Sequence, residues 1–200
     1  MRKVFSAILI LIGILTFSAC DSDSEVISRN KTKSMSEFLL LTIDNKESFI
    51  TENNTETLLG NYRIPNITDD YNFIPSKYTF VDLDSNGTDE LVLSETKQNF
   101  VLVLRFNKED EKIYGYSLNT RSFIDVKTNG TFMQSDGAGI NSISKITFDN
   151  TKLIITEIAV KNDSENIFKI NNQSVTKENV DKYFTEWQTI EHSVWKTIDS

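Results

Sequence analysis

Between residues 77 and 160 the apolar side chains come in short runs rich in β-branched and aromatic residues, each bounded by turn formers. Runs of that length predict strands, and the short gaps between them leave no room for the crossover helices of a parallel sheet. The predicted strands are 77–81, 90–94, 100–106, 112–118, 122–126, 143–148 and 153–160. Asn129-Gly130, between Val126 and Phe132, has the composition of a type I′ hairpin turn, and Asp149-Asn150 joins the last two runs. The pattern is that of an antiparallel meander.

Helical spacing flanks it. Residues 36–43 (SEFLLLTI) predict a helix, with Ser34 or Ser36 as N-cap and Glu37 in the first turn. Residues 47–59 read as a second short helix or turn. Near the end, Val180, Tyr183, Phe184, Trp187 and Ile190 fall on one face of a helix capped by Ser174 or Thr176. Such a stripe is explained by burial on the sheet better than by target binding. The expected class is therefore α+β: an antiparallel β-meander with a short N-terminal helical segment and a C-terminal amphipathic helix packed on the sheet.

The first residues are of another kind. Arg2 and Lys3 precede an apolar stretch from Val4 to Phe17. At about 14 residues it is shorter than the roughly 20 needed to span a bilayer, and it ends in small residues, as an export signal does. The junction Phe17-Ser18-Ala19-Cys20 resembles the lipobox of bacterial lipoproteins. The resemblance implies cleavage before Cys20, a diacylglycerol on its thiol and a protein anchored to the cell membrane on the extracytoplasmic side. The expected organisation is a signal peptide at 1–19, a lipid-anchored flexible tether at 20–34 (polar and without period) and a single β-rich domain at 35–200.

Cys20 is the only cysteine. No disulfide can staple the domain, and no cysteine-built zinc site or thiol nucleophile is available to it. Over the whole chain 29 acidic residues face 21 basic ones; without Arg2 and Lys3 the balance is 29 against 19, a net charge of −10. That sign argues against nucleic acid and anionic lipid surfaces as partners. The expected partners are the membrane, through the N-terminal lipid, and an unidentified cell-envelope or extracellular ligand.

The stretch richest in chemistry is Val81-Asp82-Leu83-Asp84-Ser85-Asn86-Gly87-Thr88-Asp89-Glu90-Leu91. Asp82, Asp84 and Asn86 alternate, Gly87 allows a sharp turn, and Glu90 returns. Calcium takes six to eight oxygens at about 2.3–2.6 Å, which a tight loop can supply together with a backbone carbonyl, here that of Thr88. An EF-hand is excluded because its twelfth position would be Leu93, which has no side-chain oxygen. Strand, D-x-D-x-N-G-x-x-E-L and strand instead resemble the calcium loop of FG-GAP and VCBS-type repeats. That likeness implies ligands at Asp82, Asp84, Asn86 and Glu90 and a structural calcium; the competing reading is a plain polar hairpin. More loosely, the chain resembles small surface lipoproteins of Gram-positive bacteria, a likeness that implies no activity.

Evidence for an enzyme is thinner. His192 is the only histidine, and no Gly-x-Ser-x-Gly elbow accompanies it, so it reads as an exposed residue beyond a helix end. Asp125, Asp136, Asp149 and Glu157 lie beside predicted strands and are the candidates for a paired-carboxylate hydrolase of cell-wall glycan or peptide. Ser135 to Ile140 reads as an ordinary small-residue loop. The favoured function is a calcium-stabilised binding or envelope module, with the hydrolase as its rival.

Overall fold

The computed structural model describes residues 34–65, 72–95, 97, 99–137 and 139–198. The expected export signal, the expected lipid-accepting Cys20 and the expected tether before Ser34 lie outside them. Helix α1, Met35–Ile43, starts where the sequence predicts. Ser34 Oγ accepts the Glu37 N–H at 3.3 Å, and Glu37 Oε2 accepts the Ser34 N–H at 2.8 Å, a capping box that satisfies two otherwise free donors.

The first sheet contains β1 (Phe49–Thr51), β2 (Glu56–Thr57), β3 (Lys77–Val81), β4 (Glu90–Glu95), β5 (Phe100–Asn107), β6 (Lys112–Asn119) and β12 (Lys196–Thr197), in the order β12-β3-β4-β5-β6-β1-β2. The second contains β7 (Phe132–Gly137), β8 (Ile140–Asp149), β9 (Lys152–Asn162), β10 (Ile167–Ile170) and β11 (Gln173–Ser174), in the order β11-β10-β9-β8-β7. Helix α2, Lys177–Gln188, is capped by Thr176. The fold is α+β with a C-terminal helix on the sheet, and the meander runs as two successive sheets.

Alternation along the central strands places the first sheet between two layers. Leu91, Leu93, Leu102 and Leu104 pack with Leu39 of α1 and Phe49, whereas Val92, Val101 and Val103 pack with Phe132 and Ile146 of the second sheet. All of β4 is therefore buried. Each fully buried side chain of this size contributes about 1.5–3 kcal/mol. A smaller cluster of Ile143, Ala159 and Trp187 seats α2 on the second sheet, with Tyr183, Phe184 and Ile190 at its margin. The predicted aromatic stripe is thus largely a packing face.

Four local expectations are corrected. Residues 47–59 contain β1 and β2 instead of a helix, because Asn54 takes a left-handed φ of 56° that reverses the chain. Strand β1 then pairs parallel to β6, and the Phe49 ring covers Gly115, where a Cβ would lie only 2.4 Å from Phe49 Cδ2. Residues 122–126 are not a strand: Asn119 Oδ1 accepts the Arg121 N–H at 2.8 Å and caps a short helical turn, Thr120–Ser122, as the chain leaves the first sheet. Finally, Asn129-Gly130 is not type I′. Only Gly130 has positive φ (77°), with Lys127 N–H bonded to Thr131 O and Gly130 N–H to Lys127 O. This is the three-residue loop that ends in a left-handed glycine. Ser135–Gly137, expected as loop, belongs to β7.

The last residues bind both sheets together. Ser193 N–H donates to Val126 O and Thr128 N–H to Glu191 O, each at 2.9 Å, before β12 pairs with β3. Thr79 Oγ1 donates to Val194 O at 2.9 Å in the same region. Among the described residues no helix is long and apolar enough to cross a membrane.

Candidate metal centre

Asp82 directly follows β3 and Glu90 opens β4. The antiparallel pairing of Val81 with Glu90 brings the two ends of the loop together. Ser85 and Gly87 adopt left-handed φ values of 60° and 80°, which coil the intervening residues inward. As a result Asp82, Asp84 and Glu90 each offer a carboxylate oxygen within 4.8 Å of the others.

Backbone donors hold these carboxylates in place. Asp82 accepts the Asn86 N–H at 3.0 Å through Oδ1 and the Gly87 N–H at 2.8 Å through Oδ2. Asp84 Oδ1 accepts the Asn86 N–H at 3.2 Å, and Glu90 Oε2 accepts the Leu83 N–H at 2.9 Å. Each carboxylate oxygen keeps acceptor capacity beyond these bonds. Asn86 behaves differently from its predicted role: its Nδ2 donates to Asp84 Oδ2 at 2.8 Å, and its Oδ1 accepts the Thr88 N–H, also at 2.8 Å. Thr88 Oγ1 accepts from Lys108 Nζ at 3.1 Å. The structure thus converges three of the five predicted residues and uses Asn86 and Thr88 to shape the loop around them.

Glu90 is the unusual member, only 2% exposed although acidic. Burial pushes its carboxyl up to about 8, and the neighbouring charges of Asp84 and Asp82 push the same way. The Leu83 N–H and the Arg105 guanidinium oppose that shift without cancelling it. Two oxygens sharing one calcium at about 2.3–2.6 Å can be at most about 5 Å apart, so the spacing of the three carboxylates fits such an ion.

Sequence reasoning missed what closes over the loop. A Cβ on Gly130 would stand 2.3 Å from the Asp82 carbonyl oxygen, so the turn at 127–131 lies directly on the backbone that enters the site. Arg105 reaches from β5 to Asn150 O at 2.9 Å, and its guanidinium lies over the Phe148 ring, tying the first sheet to the β8–β9 turn. Neither contact has a local signature in the sequence.

The hydrolase candidates do not form one group. Asp149 is exposed at the β8–β9 turn, whereas Asp136 and Glu157 line a single open depression beside Gln134. Asp125 lies elsewhere, in contact with Lys127 and His192. His192 is exposed, as expected, at 66% of its side chain. No family model, curated protein or solved structure matches this chain.

Proposed function

We propose that the chain is an extracytoplasmic lipoprotein whose single folded unit is a binding or envelope-associated module stabilised by one calcium ion. The observation that carries the calcium reading is the convergence of Asp82, Asp84 and the buried Glu90. Three carboxylates so close repel one another unless they are protonated or share a cation. Asp82, Asp84 and Glu90 would hold the ion, with Asn86 after reorientation of its amide and the Thr88 carbonyl completing the set. The ion would supply the countercharge that the loop lacks. Its role is structural, because a loop that wraps its ion leaves no open position for a substrate. The anchor reading rests on the resemblance at Phe17 to Cys20.

Thermal unfolding in about 1 mM calcium and in chelator tests the ion. For a site of about 10⁻⁴ M, calcium should add about 1.4 kcal/mol, a rise of about 3–6 °C for a chain of this size. Asp82→Ala/Asp84→Ala should abolish the difference; equal midpoints for the wild type would sink the reading. For the anchor, palmitate should label the protein in bacterial cells and fail to label Cys20→Ala. Label retained by that variant would refute lipidation at the predicted position.

The hydrolase remains the second reading because Asp136 and Glu157 share a depression. It requires turnover of a cell-wall glycan or peptide that is lost on Asp136→Asn or Glu157→Gln.

A further inference from the structure

A cleft of about 380 Å³ opens between the first sheet, the segment after β6 and the C-terminal residues that strap the sheets together. Its lining includes Lys77, Arg121, Phe123, Asp125, His192 and Trp195. The volume is within the range of small-molecule sites, about 300–1,000 Å³.

The charge of this cleft is opposite to that of the chain. Lys77 Nζ stands 4.9 Å from the centroid of the Trp195 ring, and Arg121 is exposed without an ion-pair partner among the described residues. The acid in the lining is already countered. Lys127 Nζ lies 3.1 Å from Asp125 Oδ2, and its side chain is only 1% exposed. That ammonium is itself held 4.7 Å from the Trp187 ring centroid. His192 Nδ1 meets the other Asp125 oxygen. Asp125 also has a left-handed φ of 54°, a conformation uncommon outside glycine, and it is what joins the helical turn to the Lys127 loop. With Asp125 neutralised from behind, Lys77 and Arg121 leave the cleft positive on a protein of net charge −8.

We infer that this cleft binds a small organic anion, a carboxylate or phosphate monoester carrying an aromatic or apolar body. Arg121 and Lys77 take the oxyanion, the guanidinium through paired N–H donors. Phe123 and Trp195 receive the apolar part. The Lys127–Asp125–His192 group keeps the one acidic wall residue from repelling the ligand. This site is separate from the calcium loop, and its existence does not depend on that loop being filled.

The test follows the Trp195 indole N–H resonance of the full chain in non-ionic detergent, assigned with Trp195→Phe. The probes are phenyl phosphate, benzoate, inorganic phosphate, benzyl alcohol and benzylamine. Phenyl phosphate or benzoate should shift that resonance saturably with a Kd on the order of 1 mM, leaving the Trp187 resonance in place. Arg121→Ala and Lys77→Ala should each weaken binding by about tenfold. Both residues are on the cleft wall, and an unchanged thermal midpoint will show that the variants are folded. Arg121→Glu should turn the preference toward benzylamine. The inference is overturned if neither aromatic anion saturates by about 10 mM, if benzyl alcohol or benzylamine binds the wild type as well, or if the two alanine variants bind normally. Inorganic phosphate binding as tightly as phenyl phosphate would also overturn it, because the apolar wall would then contribute nothing.

Discussion

The Asp82–Glu90 loop and the Asp125–Lys127–His192 junction both hold carboxylates against the body of the protein, and they balance that charge in opposite ways. In the loop three acids converge, supported by backbone N–H groups, with Lys108 bonded to Thr88 and Arg105 acting on Glu90. At the junction a single acid meets a buried ammonium and an imidazole. The first region needs a cation from outside, or a proton. The second carries its countercharge in its own sequence, so its stability should be indifferent to calcium. Gly130 links the two, since the turn that begins at Lys127 rests on the Asp82 carbonyl.

The sharpest way to break the comparison is at Lys127. Lys127→Ala removes a buried charge from its partner and should cost about 3 kcal/mol in urea unfolding, with and without calcium alike. The double change Lys127→Met/Asp125→Asn should recover much of that loss, because no uncompensated charge remains. A calcium-dependent cost would show that the two regions are one electrostatic unit. Next in size, Gly130→Ala should cost about 2 kcal/mol, from left-handed strain and the close approach to Asp82. It should also reduce the calcium-induced rise in thermal midpoint; an unaltered rise would mean that the turn does not shape the loop.

An effect of comparable size separates the regions by pH. The Glu90 carboxyl is raised in the folded state, from an ordinary 4.5 to about 8. Between these values the folded chain holds a proton that the unfolded chain has released, so stability falls as pH rises through that window. In chelator the midpoint should drop by about 7–14 °C from pH 5 to pH 8, and Glu90→Gln should flatten the profile. A profile identical to the wild type in that variant would remove Glu90 as the cause. The smallest change is expected from His192→Ala, within about 1 kcal/mol, because most of its side chain is in solvent. A larger loss would assign His192 a greater share in holding Asp125 than its exposure implies.

How much could be read in advance follows the separation of the interacting residues. The convergence of the acidic loop was legible because its acids lie within nine positions and the flanking strands announce themselves by side-chain pattern. Helix α1 was legible for a similar reason: Ser34 and Glu37 cap it locally. The strands within residues 47–59 have no local signature, because their conformation is decided by pairing with β6 and by the space that Gly115 leaves for Phe49. Asn129-Gly130 has the composition of one turn and the geometry of another, set by what the glycine touches rather than by its neighbours in the chain.

Local chemistry in the sequence therefore determined the strand-rich class, both helices and the loop with its acids, because propensity, capping and alternation act over a few residues. Only the tertiary structure decided that the meander divides into two sheets, that β1 inserts parallel to β6, and that Glu90 is buried. It alone placed Lys127 beside His192, 65 positions further along. Contacts over such distances are selected by the burial of whole faces against one another, and no short stretch of sequence contains that information.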